Sequence, residues 1–196
     1  MKKINSMLNI VLFGPPGAGK GTQAERIKNQ YSLIHLSTGD IFRYNIKEST
    51  DLGVMAKQFM DKGELVPDEV TIKMLESEVN KYSESSGFIF DGFPRTTHQA
   101  KALDDFLSSK NLSITKMIAL EVPNDELITR LFLRGKQSGR ADDQDKSIIA
   151  NRIKVYENQT AVLSEYYKAQ NKLATVNGVG SVDQITERLF SSIDIK

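Results

Sequence analysis

Short apolar runs alternate with helical patterns along nearly the whole chain. The runs are Asn9–Phe13, Leu33–Leu36, Phe88–Phe90, Met117–Val122 and Leu173–Val176. They read as nearly continuous apolar runs instead of alternating, as strands buried on both faces do. Between them, Ala24/Ile27/Tyr31, Val70/Met74/Leu75/Val79 and Ala100/Leu103/Phe106/Leu107 recur at helical spacing. Ile149/Ile153/Tyr156/Thr160/Leu163/Tyr167 and Val182/Ile185/Leu189/Ile193 continue the pattern. Strand-then-helix repetition with right-handed crossovers predicts a three-layer α/β fold around a five-stranded parallel sheet. Two stretches exceed what the crossovers need. Residues 37–66 hold short helical patterns broken at Gly53 and Gly63, and residues 133–143 read as a polar, glycine-bounded loop. With no internal repeat, low-complexity tract or linker, both are expected as insertions in one domain, residues 1–196.

Composition narrows the chemistry. The 26 basic and 25 acidic residues nearly cancel, which argues against nucleic acid or a membrane as partner. The absence of cysteine rules out disulfides and thiolate-held zinc or iron–sulfur sites. The histidines, His35 and His98, are too few for a histidine-rich metal site and are given structural or solvent roles. No apolar run approaches the roughly 18 residues of a membrane span. The start, MKKINSMLNIVLFG, has the basic-then-apolar order of a signal peptide, but Leu8–Phe13 is too short for one. A soluble cytoplasmic protein, most simply a monomer, is expected. Lysine outnumbers arginine 18 to 8, yet six arginines (43, 95, 130, 134, 140, 152) fall beside glycine-rich turns or near one another. Arginine is the side chain suited to bidentate phosphate recognition.

Behind the first run stands GPPGAGKGT, Gly14–Thr22, which fits G-x-x-x-x-G-K between a predicted strand and a predicted helix. Its glycines let several N–H groups turn towards one point, Lys20 adds a point charge, and the helix start adds partial positive charge. Gly21 follows the lysine where Ser or Thr is usual, and Thr22 comes one place later. This is a nucleoside-triphosphate site, and it makes the expected fold a three-layer P-loop NTPase fold.

A cradle says that a triphosphate binds, not what becomes of it. STGDIFR (Ser37–Arg43), DGFPRTTHQ (Asp91–Gln99) and RGKQSGRADD (Arg134–Asp143) bear on that. Together with the cradle they resemble the signatures of the nucleoside monophosphate kinases, and among them the adenylate kinase family in its short-lid form. The resemblance runs from about Leu8 to Phe190. It implies the reaction ATP + AMP ⇌ 2 ADP with Mg²⁺ and without zinc, the acceptor bound under residues 37–66 and ATP under a lid at 133–143. ATP would meet Gly17, Ala18, Gly19, Lys20, Gly21 and Thr22, with Arg134 on its phosphates and Gly180 against its adenine. AMP would be held by Thr38, Gly39 and Arg43, and along its adenine edge by Glu64, Leu65 and Val66. Gly92, Phe93, Pro94 and Arg95 would meet the AMP phosphate and Gln99 its base. Arg140 and Arg152 would clamp the phosphates between the two nucleotides.

The residues support a physical version of this. Phosphoryl transfer asks for positioning and charge compensation, which Lys20 and the arginines supply. Asp91, ending an apolar strand beside the cradle, is placed to orient Mg²⁺ through water, with Thr22 sharing the task; a helix cap or turn acid is the plain alternative. Arg130 and Arg134 are four apart and share a helix face, so Arg130 either assists Arg134 or braces a carboxylate. Gln99 is expected one helical turn beyond Arg95, on the same face. A UMP or CMP kinase of the same family is the nearest rival, and PRTTHQA favours adenine over it. A nucleotide-dependent switch lacks its guanine-reading N-K-x-D, since Asn80-Lys81-Tyr82 is followed by Ser83.

Overall fold

The structure, a computed structural model, describes residues 7–82 and 84–194. The basic start at 1–6 and Ser83, which both entered the sequence reading, lie outside the described residues. One sheet holds β1 (Ile10–Phe13), β2 (Ile34–Ser37), β3 (Phe88–Asp91), β4 (Lys116–Glu121) and β5 (Leu173–Asn177). All its pairings are parallel, in the order β2-β3-β1-β4-β5. No predicted strand end is displaced by more than one residue.

The apolar-throughout runs are explained by a core on each face. Val11, Phe13, Phe88, Phe90, Met117 and Ala119 point one way, onto α4 (Asp68–Asn80), α5 (Thr97–Ser109) and α8 (Leu163–Lys168). Their neighbours Ile10, Leu12, Ile89, Ile118 and Leu120 point the other way, onto α1 (Lys20–Tyr31) and α9 (Val182–Asp194). Leu107 and Leu189 are fully buried in the two layers, and truncating either to alanine costs about 2–5 kcal/mol. Two firm cores leave the carboxyl ends of the strands as a rigid floor.

Beyond the floor, the pattern of glycines misled the sequence reading in two places. Gly53 does not break a helix: it lies inside α3 (Asp51–Met60), and the break after α2 (Thr38–Lys47) falls at Ser49, whose φ is 53°. A Cβ on Gly53 would lie 2.0 Å from the Asn45 carbonyl oxygen, so this glycine lets two helices touch. Likewise, residues 133–138 are no loop but the end of α6 (Asn124–Ser138), which stops only at the left-handed Gly139. Gly135 sits within it because a Cβ there would meet the Asp143 carbonyl oxygen at 2.4 Å. One 3₁₀ turn, Ala141–Asp143, then leads to α7 (Lys146–Val155). The helical pattern that continues to Tyr167 is interrupted by a π-helical stretch, Tyr156–Thr160.

Candidate active site

Three strand ends meet at the floor. The order places β1 between β3 and β4, and an open parallel sheet binds ligands where the chain leaves its central strands in opposite directions. Gly14–Thr22 follows β1, Asp91 ends β3, and the register sets Asp91 beside Leu12 and Ser37. Gly19 caps α1 without a side-chain bond, and the first turn holds no acid. The free N–H groups there are left for an anion. Lys20 Nζ donates to the carbonyls of Gly14 (2.7 Å) and Pro15 (2.9 Å). Burial pushes its ammonium down to about 8; Asp91 opposes the shift, and Arg95, Arg134 and Arg152 add to it.

A cavity of about 690 Å³ opens over this floor. Gly17, Gly19, Lys20, Gly21 and Thr22 line one side of it, and Arg134, Arg140 and Arg152 also reach it. Thr38, Gly39, Arg43, Glu64, Leu65, Val66, Gly92, Phe93, Pro94, Arg95 and Gln99 supply the rest of the predicted set. Two predicted residues are not brought in. The Ala18 side chain is in the core, and Gly180 lies in an exposed turn after β5. That turn is tied to the cavity rim by Arg130, which donates to the Gly178 carbonyl (3.1 Å) and pairs with Glu126 (2.9 Å), bracing a carboxylate after all.

The arginines differ sharply in their partners. Arg134 grips Asp143 with Nε and Nη2 (2.6 and 3.1 Å), while Arg152 binds Asp143 (2.5 Å) and Asp142 (2.9 Å). Asp143 is fully buried. Burial acts to raise its pKa, but the Arg134 hydrogen bonds and the charges of Arg152 and Arg134 hold its carboxyl below the usual range. Arg43 and Arg140 share Asp40 at 2.6 and 3.3 Å. Arg95, by contrast, donates Nε to the Gly92 carbonyl (2.7 Å), which also accepts Thr38 Oγ1 (2.9 Å). It makes no ion pair among the described residues. Burial, reinforced by Arg152, pushes the Arg95 guanidinium down to about 10. Asp91 opposes that shift without pairing with Arg95, and a half-buried cation with no direct ion pair is a place where an anion is favoured.

Gln99 is reached by a different route from the one expected. Arg95 precedes α5 instead of lying a turn back on it. Thr96 caps the helix by accepting the Gln99 N–H (3.1 Å), and Gln99 Oε1 reaches back to accept the Arg95 N–H (2.7 Å). This is a capping box, with the glutamine answering one residue further back than usual. His35 stands 3.4 Å from both Asp91 and Glu25; burial opposes its charge, but the two carboxylates prevail and raise its pKa. His98 pairs with Glu69 at the surface (3.1 Å).

Among the described residues no cluster of three or more acids or histidines is built to cage a metal. The floor does fit Mg²⁺, which keeps several waters and binds through a carboxylate and substrate phosphates. A Cβ on Gly21 would meet only Asp91 Oδ2, at 3.9 Å, so at Gly21 no side chain stands between the cradle and Asp91. The acids Asp40, Asp68 and Asp143 were missed as site residues. The adjacent acids in RADD were the only visible hint of Asp143, and nothing local marks which arginines they meet.

A backbone cradle and an arginine-rich wall sharing one cavity define a P-loop phosphotransferase with room for a second phosphate-bearing substrate. The adenylate kinase family model matches residues 12–172. Adenylate kinases of Flavobacterium psychrophilum and Flavobacterium johnsoniae are 61% and 59% identical over 188 residues, 96% of this chain and 99% of theirs. That of Bacteroides fragilis is 48% identical over the same length and shares. The chain belongs to the adenylate kinase family. It is therefore an enzyme, a nucleotide phosphotransferase of the class that interconverts ATP and AMP with two ADP.

Proposed function

We propose that the cavity takes Mg·ATP against Gly14–Thr22 and AMP against the arginine wall, and passes the γ-phosphoryl group between them. An oxygen of the AMP phosphate bonds to the γ-phosphorus while the bond from that phosphorus to the β–γ bridging oxygen breaks, so both products are ADP. Lys20 leaves its loop carbonyls for the phosphates and compensates charge on the transferring group. Arg95 and Arg43 hold the acceptor phosphate; Arg134, Arg140 and Arg152 close on the phosphates between the two nucleotides. Thr38, Gly39 and Glu64–Val66 shape the acceptor side, and Gly180 approaches the ATP adenine by backbone. Asp91 and Thr22 would hold Mg²⁺ through water, and the ion would neutralise phosphate charge. Residues 37–66 cover AMP and 133–143 cover ATP, excluding water during transfer.

The observation that carries this reading is Arg95, a half-buried cation that makes no ion pair among the described residues and faces the same cavity as the phosphate cradle. A switch protein has no use for that second anion site. The near-balanced charge fits small-molecule partners instead of nucleic acid, and we take the enzyme as a cytoplasmic monomer. No helix among the described residues is long and apolar enough to cross a membrane. A coupled assay of ATP against AMP, UMP, CMP and GMP tests the acceptor: AMP should give the highest kcat/KM. A preference for CMP or UMP would replace this reading with the pyrimidine-nucleotide kinase.

A further inference from the structure

Asp68, the first residue of α4, was given no role by the sequence, yet it touches the residue expected to read the acceptor base. Its Oδ1 accepts a hydrogen from Gln99 Nε2 (2.8 Å), and its Oδ2 accepts the Thr96 hydroxyl (2.6 Å). On the other side of the same amide, Gln99 Oε1 accepts the Arg95 N–H (2.7 Å). A backbone N–H only donates and a carboxylate only accepts. The two neighbours therefore agree on one orientation of the amide, and Gln99 is only 2% exposed. Each bond takes one of the two places on its own end of the amide. One lone pair on Oε1 and one hydrogen on Nε2 remain on a residue that lines the cavity.

We propose that Asp68 is the positioning residue that sets base specificity at the acceptor site, by fixing which end of the Gln99 amide is donor and which acceptor. This rests on the reading that the acceptor base lies against Gln99. Adenine offers an amino group next to a ring-nitrogen acceptor. Guanine, with the same ring size, has a carbonyl and a ring N–H at the corresponding positions, the reverse order. A freely turning amide serves both; a locked one serves adenine and opposes guanine. Cytosine shows adenine's order on a smaller ring, so the lock does not separate AMP from CMP. Pocket size must do that.

The test compares wild type with Asp68→Ala and Asp68→Asn, using kcat/KM for AMP, GMP and CMP at saturating Mg·ATP. The alanine variant should lower the AMP-over-GMP preference by at least about fivefold, while AMP over CMP stays within about twofold. Asparagine, with an oxygen for Gln99 and an amide for Thr96, should restore the preference. An equal loss for all three acceptors, or an unchanged AMP-over-GMP ratio, would overturn the proposal. An independent readout is NMR of the Gln99 side-chain amide in the nucleotide-free protein. One exchange-protected Nε2 hydrogen is expected in wild type, and its absence there overturns the lock even if the alanine variant fails to fold. Wild-type enzyme that ignores AMP would sink the acceptor reading instead, and the NMR result would still decide on Asp68.

Discussion

The cradle at Gly14–Thr22 and the arginine wall facing it both suit phosphate, but they are made of different material. The cradle is backbone: N–H groups of one short segment, fixed by the strand before it and the helix after it, plus one lysine. The wall is side chains drawn from α2, α6, α7, the turn at Arg140 and the loop after β3. Backbone dipoles need no counter-charge when the site is empty, whereas side-chain cations do. Arg134 and Arg152 accordingly share Asp143, and Arg43 and Arg140 share Asp40. Lys20 rests on two carbonyls and Arg95 on one. The comparison separates cations held by acids from cations left for substrate.

Removing the cradle's charge should have the largest effect on catalysis. Lys20→Met is expected to lower kcat by about 10²–10³-fold or more, the range for losing one donor to a developing charge, with far less change in AMP affinity. Turnover close to wild type would show that the cradle works through backbone alone. On the wall, Asp143→Ala strips the shared acid from two arginines. Leaving a buried pair broken costs about 3–5 kcal/mol, and since Arg134 is about one-third exposed, a loss nearer 2–3 kcal/mol in denaturant unfolding is expected. If stability is unchanged, Asp143 is not what holds the empty wall together.

Arg95→Met makes the contrast sharper because its sign is opposite. Burial of Arg95 outweighs the pull of Asp91 and so disfavours the empty fold; its removal should raise stability by about 0.5–1.5 kcal/mol while sharply weakening AMP. Loss of both stability and activity would mean that the Arg95 hydrogen bond to Gly92 outweighs the cost of burying its charge.

How much of this was legible follows the same division. The strands and the cradle could be read because each is a contiguous pattern: an apolar run, or glycines at fixed offsets from Lys20. Arg43, Arg95, Arg134, Arg140 and Arg152 were found through motifs, but their partners were not, because a pairing such as Arg152 with Asp143 depends on how a 3₁₀ turn meets α7. Gly53 and Gly135 misled because glycine serves two purposes. It breaks helices in isolation, and it also lets a helix touch a neighbouring backbone, which only the packing reveals. Gln99, expected at the acceptor base, does line the cavity. Its helix placement relative to Arg95 was not legible, since a capping box at Thr96 brings the two together.

The smallest effect is a fraction of a proton, and it tests whether Lys20 is held for substrate. Burial lowers the Lys20 ammonium from 10.5 to about 8 in the empty protein. Between these values the unfolded chain holds a proton that the folded chain has lost, so this group makes the empty protein more stable as pH rises through that window. Below about pH 8 both states carry the proton and the contribution is flat. A bound polyphosphate beside the ammonium reverses the shift, since opposite charge favours the protonated form. Nucleotide binding at about pH 9 should then take up between zero and one proton, and affinity should fall as pH rises above that of the empty site. The phosphates are fully ionised there and add nothing. Calorimetry of ATP binding in buffers of different ionisation enthalpy measures the uptake directly. It should vanish in Lys20→Met and persist in Asp143→Ala, whose defect lies on the other wall. Uptake that survives the loss of Lys20 would assign the proton to the arginine wall, with Arg95, lowered to about 10 in the empty protein, as the group that gains it.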